Sequence, residues 1–279
     1  MLSKKIDFGV IITVKNANPN GDPLNGNMPR ASYDEIGEIT DVCIKRKILD
    51  RLLETGQSIF VQSDDRKVDD AKDLKERAVK GLGKTMNSSR ENIEKACKTW
   101  FDVRAFGQLF AFSSKKETGD ATQGTAGVSI AIRGPVTIQS AFSVAPINIT
   151  STQITKSVSG ELGKDGKRGS DTMGMKHRVD EGVYVFFGSM NPQLSERTGF
   201  SDKDAVLIKE ILPKLFENDA SSARPEGSMS VHKLIWWEHN CKSGQYSSAK
   251  VHGLLKVNPD LTYELGSLKG LKAEEIDGF

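Results

Sequence analysis

The sequence contains little cysteine and no long apolar run, and both absences exclude broad classes of protein. Its cysteines, Cys43, Cys97 and Cys241, lie far apart, are odd in number and lack paired metal-ligand spacing, which does not indicate a disulfide scaffold or a zinc module. No apolar segment approaches the roughly 20 residues of a membrane span, and the charged N-terminus lacks the apolar core of a signal peptide. We therefore expect a cytoplasmic protein with no membrane partner.

Net charge of one sign is also nearly absent. The 39 lysines and arginines and 37 aspartates and glutamates leave a formal charge of +2, so the overall charge does not indicate a nucleic-acid partner. Any such contact must be made by local groups of basic residues. With 279 residues, of which 37% are hydrophobic, the chain is long enough to bury a core.

Hydrophobic periodicity predicts six principal elements in the order strand, helix, strand, strand, helix, strand. The predicted strands cover about 6–14, 128–144, 182–190 and 231–238, and the predicted helices cover about 40–54 and 201–218. This is the order of the ferredoxin-like fold of RNA-recognition (RRM) domains, an α+β class. Many enzymes and binding modules share this order, so it does not define the function.

Two long segments interrupt the predicted elements, and we interpret the chain as one domain over residues 1–279 with two insertions. The first, at about 57–127, contains a short strand predicted at 58–62, then alternating charges and a cluster of aromatic residues. The second, at about 144–180, has glycines spaced among basic residues and no stable apolar period. We expect the second insertion to project as an arm.

Several positions are candidates for binding a polyanion. The first strand runs into a loop of turn-forming residues, 16–30, where backbone amides should be exposed and where Asn18, Asn20, Gly21 and Arg30 lie. The other candidates are Lys45 and Arg46 on the first helix, Arg104 among aromatic residues, Arg133 before a Gly-Pro bend, and Lys176, His177 and Arg178 on the arm.

Each candidate has a structural alternative that the sequence leaves open. In the structural alternative, Asn18 to Gly21 only form a turn, and Arg46 is an ordinary solvated helix residue. Arg104 alternatively pairs with Asp102 or stacks on Phe106. Lys45 projects within the apolar half of its helix, so it should either extend to the helix end or point at a negative group.

Two segments resemble motifs for nucleotide and calcium binding, but each lacks one required residue. Gly83-Lys84-Thr85 resembles the end of a phosphate-binding loop, but Ala78 stands where that loop needs a glycine. The loop that begins at Asn16 imitates a calcium loop, but Asn27 stands at its twelfth position, where a bidentate glutamate is needed. No metal or other cofactor is therefore predicted.

A set of unusual segments occurs in one order along almost the whole chain. They are 18–23 (NPNGDP), 26–30 (GNMPR), 40–47 (TDVCIKRK), 101–107 (FDVRAFG), 132–136 (IRGPV), 174–178 (GMKHR), Tyr184, 238–239 (EH) and 250–252 (KVH). Taken together they resemble the Cascade backbone family, Cas family seven, in its type I-C branch. Several such segments in one order are far more specific than any single motif.

The resemblance implies an RRM-like palm with a finger or web insertion at about 57–127 and a thumb insertion at about 144–180. It implies that copies of the chain stack along one CRISPR RNA (crRNA) and present it for pairing with target DNA. The other implied partners are the Cas family five subunit, the large subunit and the small subunits of Cascade and, indirectly, a recruited helicase-nuclease. The candidate residues above would contact the RNA, and Met173 or Met175 would be an apolar wedge beside a displaced base, unless these methionines pack internally.

The resemblance also implies a protein without catalytic activity, and two other functions remain as alternatives. Type III relatives of the backbone family cut bound RNA with a loop aspartate, and Asp22 lies in a suitable loop for metal-dependent cleavage. A guide-processing nuclease would need a general base, for which only His177 lies among basic residues, and a free-standing RNA chaperone belongs to the same class.

Overall fold

The computed structural model describes residues 1–83, 89–112, 128–155 and 173–279. The strands are β1 (Ile6–Ala17), β2 (Gly21–Asp22), β3 (Met28–Pro29), β4 (Ile36–Ile39), β5 (Gly107–Phe112), β6 (Val128–Arg133), β7 (Val136–Ile138), β8 (Ala141–Pro146), β9 (Ile149–Thr155), β10 (Met173–Met190), β11 (Met229–Glu238), β12 (Leu255–Val257), β13 (Tyr263–Leu265) and β14 (Ala273–Asp277). The helices are α1 (Asp41–Glu54), α2 (Leu74–Leu82), α3 (Arg90–Thr99), α4 (Phe101–Phe106), α5 (Pro192–Thr198), α6 (Asp202–Ile211) and α7 (Ser248–His252). The predicted α+β class is confirmed.

A large antiparallel sheet organises the fold. Its strands follow the order β14-β11-β1-β10-β8-β4, and β7 and β9 also pair with β10. β1 is the central strand, antiparallel to β10 on one side and to β11 on the other. In chain order, β1, α1, β8, β10, α6 and β11 match the predicted sequence of six elements, and the four strands of this set lie in the order β11-β1-β10-β8. The segment predicted as one strand at 128–144 is divided into β6, β7 and the start of β8.

Both faces of the central sheet are covered. On one face, alternate residues of β1 such as Phe8 and Ile12 pack in the main core with Ile48 of α1 and Ile208 of α6. The alternation of apolar residues along β1 predicts this buried face. On the other face, Ile11 lies in a second core that the C-terminal segment 246–273 covers. The sequence pattern indicated a single apolar face, because Asp7 and Gly9 interrupt the second one.

The ends of the helices follow local chemistry. Thr40 caps α1 by accepting a hydrogen bond from Cys43 N–H, and Ser201 and Asp204 form a capping box at the start of α6. α6 ends at Ile211, earlier than predicted, and continues as a 3₁₀ turn that contains Pro213. Proline lacks the backbone N–H that a longer α-helix needs.

The first insertion has its own apolar core, in which Phe60 and Trp100 pack with ring centroids 4.9 Å apart. The strand predicted at 58–62 is wrong, because the described backbone there forms no strand. Instead, the N–H groups of Phe60 and Val61 each donate to the buried carboxylate of Asp102 at 2.8 Å. Burial raises the pKa of Asp102. Sequence periodicity does not signal a side-chain contact between residues that are 41 and 42 positions apart.

The C-terminal segment is attached to β1 by a buried polar cluster around Asp7. His239 Nδ1 accepts from Gln245 N–H at 2.9 Å, which leaves Nε2 to donate to Asp7 Oδ2 at 2.8 Å. His252 Nε2 lies 3.4 Å from the other carboxylate oxygen, and Lys5 Nζ lies 3.2 Å from Oδ2. Asp7 and His239 are both fully buried, so this cluster stabilises the fold only while the buried Asp7 carboxylate keeps its partners.

Burial by itself raises the pKa of Asp7, but the donors His252, Ser248 and His239 and the Lys5 charge outweigh it and lower the pKa from 3.8 to about 2. A carboxyl whose pKa is depressed in the folded state stabilises the protein above its unfolded pKa. That stabilisation is lost as the pH falls from about 4 toward 2.

We expect Asp7→Asn to lower the free energy of unfolding at pH 7 by about 3 kcal/mol, because it leaves buried partners without their charge. The acid-induced loss of stability between pH 4 and 2 should also shrink by about 2 kcal/mol, which corresponds to the missing pKa shift. Urea unfolding across this pH range measures both effects. The exposed Asp34→Asn is the matched control, and equal pH profiles for the two variants would contradict the prediction.

Candidate nucleic-acid interface

The loop that follows β1 folds back onto the N-terminus of α1, and Asn20 makes the connection. Its Oδ1 accepts hydrogen bonds from both the backbone N–H and the hydroxyl of Thr40 at 2.9 Å. Its backbone carbonyl accepts from Arg30 N–H at 3.0 Å. We call the group Asn20, Asp22, Arg30, Asp41 and Lys45 the Asn20 junction.

Asn18 and Gly21 give this loop its shape. Asn18 is 4% exposed and its Nδ2 donates to Asn27 O at 2.7 Å. A Cβ on Gly21 would lie 2.1 Å from Asn27 Oδ1, so a larger residue does not fit unless the Asn27 side chain moves. The structural-turn alternative therefore describes these two residues well, and their predicted contact with RNA stays a prediction.

The cations of the Asn20 junction are each paired with a carboxylate. Arg30 Nη2 lies 3.3 Å from Asp22 Oδ1, and Lys45 Nζ lies 2.8 Å from Asp41 Oδ2. Both basic side chains are 34% exposed. Lys45 extends to the N-terminal end of its own helix, where Asp41, one helical turn earlier, is the negative group that it contacts. The two alternatives for Lys45 therefore coincide, and its contact with RNA stays a prediction.

Arg46 and Arg104 are integrated into the fold. Arg46 Nη1 donates to Val61 O at 2.8 Å and its Nε lies 3.0 Å from Asp50, which ties α1 to the first insertion. Arg46 is therefore not a freely solvated helix residue. Its contact with RNA stays a prediction.

Arg104 has a partner that is distant in sequence. It donates through Nη2 and Nε to Asp204 Oδ1 at 2.9 and 3.2 Å, and its guanidinium carbon lies 4.5 Å from the centre of the Phe101 ring. Burial raises the pKa of Asp204, but Arg104 and Ser201 outweigh it and hold that pKa below its usual value. The predicted local partners Asp102 and Phe106 are both wrong, since Asp102 binds backbone amides instead.

The arm begins as a two-stranded ribbon, which the lack of a stable apolar period in this segment did not indicate. Residues 149–155 of β9 pair with 173–179 of β10, whereas 156–172 lie outside the described residues. His177 Nδ1 lies 2.7 Å from the hydroxyl of Ser151, directly across the ribbon. Arg178 Nε lies 3.9 Å from Asp180 Oδ1, and Lys176 is exposed.

The methionines predicted as a wedge are exposed on this ribbon. Met173 is 66% and Met175 is 54% exposed, so internal packing does not hold for either. Alternate residues of a strand share a face, which places the two methionines and His177 on one face and Lys176 and Arg178 on the other. Ile154 of β9 pairs with Gly174, so it lies on the face of Lys176 and Arg178, and it is also 50% exposed.

The Asn20 junction and the base of the ribbon are neighbours. Ala17, the last residue of β1, pairs with Val179, which directly follows Arg178. The loop from 18 to 30 therefore leaves the sheet beside the ribbon, and β3 in that loop contacts β10. We call this region, which includes both faces of the ribbon, the loop–ribbon surface; its residues are Asn18, Asn20, Gly21, Arg30, Lys45, Lys176, His177 and Arg178.

Arg133 lies apart from this surface. It is the last residue of β6, pairs with Gly107 of β5 and is exposed. Its backbone approaches Gly107 closely, and a Cβ on that glycine would meet Ile132 O at 2.2 Å. The motif around Arg133 therefore has a clear packing role, and its contact with RNA stays a prediction.

Residues 1–83, 89–112, 128–155 and 173–279 contain no cluster of three or more histidine, cysteine, aspartate or glutamate side chains that could hold a metal. Across the same ranges, no helix has the length and apolar character to cross a membrane. Sequence reasoning missed the carboxylates that pair with the candidate cations. For Asp41 a signal was present, because Asp41 and Lys45 have the i, i+4 spacing of a helical ion pair.

The chain matches the family model described as "CRISPR-associated protein Cas7" over residues 4–275, and it therefore belongs to that family. One curated relative, "CRISPR-associated protein Cas7" of Haloferax volcanii, is 24% identical over 93% of this chain and 77% of its own.

Solved structures with similar chains are weaker matches. A chain of a "CRISPR RNA-guided surveillance complex, pre-nicking" aligns with a TM-score of 0.45 and 12% identity over 84% of this chain and 78% of its own. A chain of the "Type III-B Cmr-beta bound to cognate target RNA" aligns with a TM-score of 0.43 and 11% identity over 83% of this chain and 60% of its own. At TM-scores below 0.5 these likenesses carry no argument about function.

We expect Arg104→Ala to lower the free energy of unfolding by about 3 kcal/mol, because Asp204 would then be left largely buried and unpaired. Urea unfolding of Arg104→Ala, Asp204→Ala and the double variant gives the coupling energy, which should lie in the range of about 0.5 to 3 kcal/mol. Additive effects of the two single changes would show that this ion pair does not couple the first insertion to α6.

Proposed function

We propose that this chain is a non-catalytic, crRNA-binding backbone subunit of a type I-C CRISPR surveillance complex, in which copies polymerise along the guide RNA. The observation that carries the proposal is the match to the Cas7 family over nearly the whole chain. The strand order β11-β1-β10-β8 supports a ferredoxin-like palm. In this proposal, about 57–127 is the finger insertion and about 144–180 is the thumb.

The chemistry of the loop–ribbon surface supports contact with the RNA backbone. A subunit that holds guides of any sequence must bind phosphate and sugar and leave base edges free for pairing with target DNA. Lysine, arginine and backbone amides meet this need without reading a sequence. The surface contributes Arg30, Lys45, Lys176 and Arg178 as cations, and the loop after β1 contributes amides.

The covered sheet supports the same mode of binding. RRM domains stack RNA bases on aromatic residues of an open sheet face. Here the face that carries Ile11, Ile235 and Trp237 is buried beneath the C-terminal segment, so this stacking mode has no platform there. Met173 and Met175 are exposed apolar side chains on one face of the ribbon, which suits a wedge beside a displaced base.

The bonding of Asp22 favours a structural role over catalysis. Its Oδ1 accepts from Leu24 N–H at 3.2 Å and lies 3.3 Å from the Arg30 guanidinium. The carboxylate thus holds the turn and balances a charge. The proposal further includes a cytoplasmic location, with the Cas family five, large and small subunits as partners and a helicase-nuclease recruited to the complex.

The first test is the mass of complexes formed on guide RNAs of increasing length in magnesium, with RNA integrity checked on the same samples. We expect the mass to grow in steps of one subunit while the RNA stays intact, because each copy holds a fixed length of backbone. A single protein per RNA would contradict polymerisation. RNA cleavage that Asp22→Ala abolishes would establish the nuclease alternative instead.

The second test measures how binding to a labelled guide RNA depends on salt. Each phosphate contact to a single strand contributes about 0.7 to the slope of log affinity against log salt. We therefore expect Arg30→Ala, Lys176→Ala and Arg178→Ala each to weaken binding and reduce that slope by about 0.7. Lys256→Ala, an exposed change on β12, is the control. Slopes that stay equal in all four variants would exclude the loop–ribbon surface.

A further inference from the structure

Both cations of the Asn20 junction have aspartate partners within the junction itself. Arg30 lies 3.3 Å from Asp22 and Lys45 lies 2.8 Å from Asp41, and all four side chains are between 28% and 37% exposed. Two positive and two negative charges leave the junction neutral. A surface that binds only a polyanion has no evident need for carboxylates at its cations.

The local backbone holds both carboxylates in place. Asp22 Oδ1 accepts from Leu24 N–H at 3.2 Å, and the residue pairs with Met28 in the β2–β3 hairpin. Asp41 is the first residue of α1, where the positive end of the helix dipole favours an anion. Its backbone N–H donates to Ser140 Oγ at 3.2 Å. The backbone position of both aspartates, and for Asp22 also one carboxylate oxygen, is therefore held by contacts other than the cations.

Arg30 is incompletely bonded in this arrangement. A guanidinium carries five N–H donors, but the buried Nε–H of Arg30 has no acceptor among the described residues. Its contact with Asp22 uses a single oxygen. A phosphate offers several oxygens in the geometry that arginine binds as a pair, so at the partly exposed Nη groups of Arg30 it can make more contacts than the single oxygen of Asp22.

We propose that Asp22 and Asp41 are specificity-determining residues that occupy the phosphate positions of the loop–ribbon surface and keep the affinity of a single subunit for nucleic acid low. This inference rests on the proposed function. A phosphate that reaches Arg30 or Lys45 must displace a carboxylate or lie beside it, and either event weakens binding. Short or unrelated nucleic acids then bind poorly to one subunit.

The same weakening has a different effect on a long guide. When copies are joined on one RNA, each added contact is effectively intramolecular, so many weak sites give strong overall binding. Low affinity per subunit therefore favours a continuous row of copies over isolated binding to other RNA. Asp22 and Asp41 would set the threshold between these two states.

The test compares Asp22→Asn with wild type for binding of a labelled oligouridylate of about 10 nucleotides, near the footprint of one domain. Asparagine retains an acceptor for Leu24 N–H and removes only the charge. We expect Asp22→Asn and, independently, Asp41→Asn to tighten binding about fivefold at low salt, the typical size of one surface charge interaction. The gain should vanish near 1 M salt, where screening acts within about 3 Å.

Asp34→Asn is the matched control, because Asp34 is exposed in the same segment and pairs with no cation among the described residues. It should change the affinity less than twofold. Equal effects of Asp22→Asn and Asp34→Asn would overturn the proposal, and so would weaker binding by Asp22→Asn with an unchanged melting temperature.

Different results would contradict the proposed function and the proposed role of Asp22 and Asp41. If wild type binds neither the oligouridylate nor a full guide RNA, the proposed function fails. If wild type assembles in steps on the full guide but the Asp22 and Asp41 variants bind the short probe no more tightly, only the role of these carboxylates fails. A rise in the ratio of short-probe to full-guide affinity in both variants would support it.

Discussion

The position of β1 at the centre of the sheet constrains most of this structure. The strand pairs with β10 and β11 along its two edges, and both of its faces are buried. A strand in that position can leave the sheet only at its end, and it does so at Ala17, opposite Val179. That exit places the loop from 18 to 30 beside the ribbon and against the N-terminus of α1. Residues such as Asn18 and Arg178, which are separated by more than 150 positions, therefore lie in one surface.

The burial of both faces also explains where RNA cannot bind. The C-terminal segment covers the sheet face that an RRM domain leaves open, and the buried Asp7 cluster attaches this segment to β1. Because the buried carboxylate is stable only with its donors in place, the cover is an integral part of the domain. In the proposed function, contacts with RNA are therefore made by loops, the start of a helix and the ribbon, which suits recognition of a backbone more than of bases.

Basic and acidic side chains of this protein often lie in ion pairs, and neither sign of charge is in large excess. The net charge is only +2, and carboxylates lie next to cations, as in Arg30 with Asp22 and Arg104 with Asp204. Some of these pairs hold insertions and helices together. Those at the Asn20 junction remain about one-third exposed, so a polyanion can compete for them. A nearly neutral chain can therefore present a binding surface that overall composition does not reveal.

Local patterns in the sequence determined the α+β class, the first face of β1, the approximate starts of α1 and α6 and the polar loop after β1, because periodicity and helix-start signals act within a few residues. The order of the unusual segments determined the family. Only the tertiary structure decided that Ile11 lies in a second core, that Arg104 binds Asp204 and that the arm starts as a paired ribbon. These contacts join residues far apart in the chain, and their energies depend on burial and distance, which no local pattern encodes.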